Sequence, residues 1–153
     1  MLTETRSQTV VDLLLQGTYL SMQRIIPIHL KMEELKQLET SLPLQFGVLI
    51  GITGDVRGKL ILTGNKKVFG AIGQSMFGMP LEGEMLASFS GELGNMIAGG
   101  LSTNLVKKGI RTDITAPTIM QGEASLSGHA AAHQLSVAVE RVGELETYLL
   151  LDY

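Results

Sequence analysis

The stretch from Glu82 to Lys108 constrains this chain more than any other. Its apolar residues recur at three- and four-residue spacings, and Lys107, Lys108 and Gly109 close it with a good helix stop. At about 100° per residue, Leu86, Phe89, Leu93, Met96, Ile97, Gly100 and Leu101 share one arc, the expected buried face. The opposite strip holds Ser88, Gly91, Glu92, Asn95, Ala98, Gly99 and Ser102. A solvated strip would normally carry Lys, Glu, Arg and Gln. Instead, glycines at 91, 94, 99 and 100 each cost the helix up to about 1 kcal/mol against alanine. Packing must hold such a helix, and something must approach its backbone closely. Geometry alone leaves two readings open. The strip is a docking surface from which Glu92 and Asn95 project side by side, or it is the place where a second helix of the same chain crosses.

The rest of the chain supplies partners for this helix. Gln8 to Arg24 reads as a helix stopped by Pro27, and Lys66 to Phe77 as a short amphipathic helix closed by Gly78 and Pro80. Phe46–Ile52 and Lys59–Leu62 flank a Gly/Asp turn and predict a β-hairpin, whose first strand is apolar enough to be central. Ile28–Met32 and Ile110–Ile114 alternate as short strands, and Gln134–Val142 with Leu145–Leu151 predict a second hairpin around Gly143-Glu144. Glu33 to Pro43 is ambiguous, and Gly122–His133 reads as a loop or hairpin tip. This order lacks the strand–helix alternation of a doubly wound fold. It predicts an α+β fold, with long helices packed on a mainly antiparallel β-sheet, and a single domain over 1–153.

Composition narrows the function classes. A chain of 153 residues buries about two-thirds of its unfolded surface, so its core needs no disulfide or metal. Apolar residues at 44% and charged ones at 18% exclude intrinsic disorder. A net charge of -3 argues against a nucleic-acid binder. The absence of cysteine removes thiolate chemistry and cysteine metal sites. No signal peptide or apolar span of roughly 18 residues is evident, so the expected location is the cytoplasm, without membrane association.

Three segments resemble a known family. S-G-E-L-G-N-M-I-A-G-G at 90–100 is similar to the signature helix of the CheX/CheC chemotaxis phosphatases, whose active motif is Glu-x-x-Asn. G-I-T-G-D-V-R-G-K-L at 51–60 resembles their central hairpin, and L-V-K-K-G-I-R-T-D-I-T-A-P at 105–117 their helix-to-strand passage. Gln8–Arg24 carries no second Glu-x-x-Asn, so the resemblance implies one site per chain, as in CheX. Ala116-Pro117 stands where the family often has two prolines, a departure that leaves the motif untouched.

The resemblance implies a phosphatase that removes the aspartyl phosphate of a CheY-like response regulator and ends a chemotaxis or related two-component signal. Asn95 and Glu92 are the implied catalytic pair. Asn95 aims a water, and Glu92 pairs with a lysine beside the phosphoryl group. Ser88, Gly91, Gly99 and Ser102 are the implied partner contacts, their small size admitting the helix to the regulator's cleft. No cofactor is expected on this chain, Mg²⁺ belonging to the regulator, and the resemblance also points to a homodimer. The alternative is a non-catalytic module that binds a phosphorylated regulator on the same face; a small-molecule sensor is a third option.

Other patterns carry less. His129 and His133 have metal-pair spacing on a helix, yet their glycine-rich surroundings disfavour one, so a solvated loop is expected and no metal site. T-G-D-V-R-G lacks the end of a nucleotide P-loop, and no Gly-x-Ser-x-Gly elbow is present. Of the eight methionines, most should fill core gaps, while Met76, Met79 and Met85 are candidates for a protein-binding edge. Leu149–Leu151 reads as a buried strand, or as an edge able to pair with a second copy.

Overall fold

A computed structural model describes residues 4–38, 42–126 and 131–152, and the side chains of 9–33, 46–122 and 132–152. A long helix, α1 (Glu4–Ile25), leads into β1 (Leu30–Leu38), β2 (Leu42–Gly54) and β3 (Gly58–Gly64). Two helices follow, α2 (Lys66–Phe77) and α3 (Gly83–Val106), then β4 (Thr112–Ile114), β5 (Thr118–Leu126), β6 (Ala131–Val139) and β7 (Gly143–Leu151). The strands form one sheet in the order β1-β6-β7-β3-β2-β4, with β5 also paired to β2. Every pairing described is antiparallel. The expected α+β architecture is therefore observed.

Alternation along the strands decides which side receives the helices. Val48, Ile50, Leu60, Leu62, Leu135, Val137, Leu145 and Leu149 lie in register on one face. They form one core with Leu14 and Met22 of α1, Phe69 and Ile72 of α2, and Leu93 and Ile97 of α3. Leu49, Ile61, Met120, Ala132, Tyr148 and Leu150 make a smaller cluster on the opposite face, which explains why β2 reads as apolar at nearly every position.

Local chemistry sets the helix ends. Asn65 caps α2, its Oδ1 accepting from the Lys67 amide at 2.9 Å. Gly78 ends the helix at φ 74°, where a side chain would be strained, and donates to the Gln74 carbonyl. After α3, the Ile110 amide donates to the Leu105 carbonyl and Gly109 takes φ 80°, so the glycine stop works as read. Lys107 and Lys108 lie past the last turn of α3, although they were expected within it.

Two expectations need correction. The loop expected over 122–133 is largely strand: β5 runs to Leu126 and β6 begins at Ala131, while His129 lies outside the described residues. His133 belongs to β6 and is buried, 7% exposed, so it is no solvated loop residue. Tertiary pairing overrides the weak local preference of these small and polar residues, β5 bonding to β2 and β6 to both β1 and β7. Leu149–Leu151 is the buried strand the sequence indicated and not the alternative edge, because β7 lies between β6 and β3.

Candidate functional site

Helix α3 is gripped on three sides, and its small residues mark where. On the sheet side, a Cβ at Gly94 would stand 2.7 Å from Val48 Cγ1 of β2. On the α1 side, a Cβ at Gly100 would collide with the Ser21 hydroxyl, which donates to the Ile97 carbonyl at 2.8 Å. Asn104 Nδ2 adds a bond to the Gly17 carbonyl at 3.1 Å. On the β4–β5 side, Gly91 faces Pro117 and Ile119, its virtual Cβ 3.3 Å from Ile119 Cδ1. Ser102 Oγ shares a 2.6 Å hydrogen bond with Thr112 Oγ1 of β4.

These contacts correct the expected helix face. Gly91 and Ala98 are buried, and Ser102 is half-buried and bonded to β4, so none of them stands on an open strip. Met96, expected inside, is 38% exposed. Glycine, alanine and serine score as neutral in a polarity pattern, yet they are the residues that let strands and helices come closest. The exposed ridge is instead Met85, Ser88, Glu92 and Met96, with Asn95 half-buried on its flank and Gly99 beyond. Around Gly99 no neighbouring described atom lies within 4 Å of a Cβ position. The strip is therefore divided. Gly91 and Ser102 pack against β5 and β4, strands where a second helix was the alternative. Helix α1 crosses instead at Gly100 of the expected buried arc, while Ser88, Glu92, Asn95 and Gly99 remain available.

Glu92 and Asn95 come one turn apart on this ridge, as the sequence indicated. Among the described residues neither has a hydrogen-bond or ion-pair partner within the chain. An acid and an amide held at fixed spacing on a braced helix, with all their bonding capacity unspent, are ready for a partner. The energetic reason is preorganisation of the backbone: the helix that spaces them was ordered on folding, so a partner need order only the two side chains.

Two grooves meet at Ser88 and Glu92, which line both, while Asn95 lines neither. One is lined by Glu84, Ala87, Ser88, Gly91, Glu92, Pro117 and Ile119. The other, about 390 Å³, runs between the end of α2 and α3, and its wall is almost wholly apolar. Met76 and Met85 line it as the sequence suggested, with Met79, and so do Phe77, Leu81, Phe89 and Met96. The linear pattern does not single out the last four, since Phe77 and Phe89 look like ordinary core positions until their edge-to-face contact at 5.7 Å places them at the groove floor. Nor does it single out Pro117 and Ile119, which nothing in the sequence marks as neighbours of Gly91.

Among the described residues no group of three His, Cys, Asp or Glu side chains is placed to hold a metal. Among the described residues no helix is long and apolar enough to cross a membrane.

An exposed helix edge with Glu92 between two open grooves and Asn95 on its flank belongs to the class of surfaces suited to contact another molecule. Comparison with known proteins makes that class specific. The family model described as chemotaxis phosphatase CheX matches residues 46–140. The chain is 31% identical over 117 residues to the CheY-P phosphatase CheX of Thermotoga maritima, covering 74% of this chain and 76% of that protein. It therefore belongs to the CheX family. Solved structures agree on the fold. A chemotaxis protein CheX from Desulfovibrio desulfuricans superposes with a TM-score of 0.80 at 17% identity, over 94% of this chain and 99% of that one. The CheX-CheY-BeF3-Mg²⁺ complex from Borrelia burgdorferi gives 0.78 at 20% identity, over 94% and 97%.

Proposed function

We propose that this chain is a phosphatase acting on the aspartyl phosphate of a CheY-like response regulator, with Asn95 and Glu92 as its catalytic pair. The observation that carries the proposal is the unpaired state of both side chains on a helix braced by β2, α1 and the β4–β5 segment. Family membership supports it, as does the activity named for the T. maritima relative.

The division of labour follows from charge. Phosphoryl transfer passes through a loose transition state, so catalysis is mostly positioning and charge stabilisation. Asn95 is neutral and offers an acceptor with two donors, suited to hold a water in line behind the phosphorus without repelling the phosphate. Glu92 is anionic and would repel it. Its place is opposite a lysine of the regulator, a charge-assisted bond that fixes the register of the two proteins. Ser88 and Gly99 form the near rim of the contact, and Gly91 and Ser102 act behind it by seating the helix on β5 and β4. The metal that phosphoryl chemistry needs is Mg²⁺ carried by the regulator, and this chain requires none of its own.

The same reading includes a cytoplasmic location, a single working domain and a homodimer. With β7 central in the sheet, β1 offers the unpaired edge for a second copy, and light scattering gives the mass directly.

The test follows phosphate loss from a CheY-like regulator of the same genome with catalytic amounts of this chain. Asn95→Ala should lose about a hundredfold in kcat, equivalent to about 2.7 kcal/mol, while binding is kept. Glu92→Ala should chiefly raise KM. Full activity in Asn95→Ala would remove that residue from the mechanism. Regulator decay slowed by stoichiometric wild-type chain would show a binding module instead.

A further inference from the structure

Large apolar side chains at the surface are concentrated in one place. Phe77, Met79, Met85 and Met96 are 61%, 50%, 56% and 38% exposed, and all four line the groove between α2 and α3. Among the described side chains, the other large exposed apolar residues, Leu20, Met32 and Val106, are not in its lining. Gly73 lets the floor form, because its missing Cβ leaves room for Leu81 and the Phe89 ring. An apolar groove rimmed by polar residues is the usual mark of an interaction surface.

Its occupant follows from its position. Ser88 and Glu92 line this groove, and Glu92 also belongs to the catalytic pair. Met96 follows Asn95 directly and stands one turn beyond Glu92. A body that reaches Glu92 and Asn95 together therefore covers Met96 and Met85. A second copy seated in the groove would instead occlude Glu92.

We infer that the groove receives an apolar side chain that the phosphorylated regulator presents beside its active site, so that the methionines supply affinity while Glu92 supplies register. This rests on the phosphatase reading above and names a second contact for its substrate. Methionine suits such a contact because its unbranched, polarisable side chain adapts to the shape it meets. The groove thus binds ground state and transition state alike, and its loss falls on KM.

Methyl-labelled methionine reports on this directly, since the chain has eight methionines and Met22 is fully buried elsewhere in the core. The probe is a CheY-like regulator activated with beryllofluoride and Mg²⁺. The Met79, Met85 and Met96 methyl signals should shift saturably while Met22 stays fixed. The Met79→Gln, Met85→Gln double variant should raise KM about tenfold for the phosphorylated regulator. Shifts of the Glu92 and Asn95 amides with unmoved methionine methyls would overturn the groove and leave the phosphatase intact. So would a fall in kcat at unchanged KM. Methionine shifts produced by raising the chain's own concentration would assign the groove to a second copy. If no signal moves and phosphate loss is not accelerated, the phosphatase reading falls and this inference with it.

Discussion

Gly94 and Gly99 lie five residues apart on one helix, and the same substitution should act on them with opposite sign. Alanine in place of either glycine gains about 1 kcal/mol of helix propensity. At Gly99 nothing opposes the gain, since no described neighbour comes within 4 Å of the new methyl. At Gly94 the methyl would meet Val48 Cγ1 at 2.7 Å and Ile50 Cδ1 at 3.2 Å. Both belong to a strand bonded to its neighbours on both sides, so neither can retreat. Overpacking of that kind costs about 1–3 kcal/mol, leaving Gly94→Ala destabilised by about 0–2 kcal/mol. Because the propensity gain is common to both, the difference between the variants isolates the packing term. With 153 residues and about 2.1 cal/mol/K of unfolding entropy per residue, each kcal/mol moves Tm by about 3 °C. Scanning calorimetry should place Gly99→Ala about 3 °C above the wild type and Gly94→Ala about 3–9 °C below Gly99→Ala. Equal shifts for the two variants would refute the claim that α3 rests on β2 through Gly94. Gly99→Ala should also weaken regulator binding despite its greater stability; unchanged affinity would remove Gly99 from the contact.

Acid should destabilise the protein through His133. Burial pushes its imidazole below the ordinary pKa, Asp12 opposing only in part, and its Nε2 is buried without a partner. The unfolded chain then takes up the proton first, so stability is fully present above about pH 6.5 and falls as pH drops below it. Chemical denaturation between pH 5 and 8 should show the slope in the wild type and its reduction in His133→Leu; an identical slope in both would place its origin elsewhere. Asn65→Ala should cost about 1 kcal/mol by removing the α2 cap, read as a lower urea midpoint at unchanged m-value. No loss would mean that the 2.9 Å bond to the Lys67 amide contributes nothing to stability.

Much of the fold is legible in the sequence because local rules are strong there. Alternation and turn residues mark the 46–62 hairpin, and β-branched density marks β2 as central. Alternation also marks the final hairpin, but its turn is Glu140–Val142, and Gly143 and Glu144, expected as the turn, already pair in β7. The glycine stop ends α3. Where small and polar residues fill a strand, alternation fades, and the second half of β5 and the first three residues of β6 read as a loop for that reason. The site is legible as a motif. Glu92 and Asn95 come one turn apart from helical period alone, and three of the methionines flag the edge beside them.

The sequence by itself determined the class of domain, the spacing of the acid and amide, and the need for close packing along α3, since four glycines in one helix are stable only under contact. It did not determine which residues of α3 stay open. That depends on which neighbours arrive: β2 beneath Gly94, α1 across Gly100, and Pro117 and Ile119 against Gly91. A glycine on a helical wheel is silent about whether its bare backbone meets solvent or a strand. The helical period already puts Ser88 and Glu92 outward; only the tertiary structure withdraws Gly91 and Ser102 from that face, adds Met96 to it and stands the end of α2 beside it as the second wall of a groove. Chain distant in sequence makes that choice, and helical period carries no trace of it.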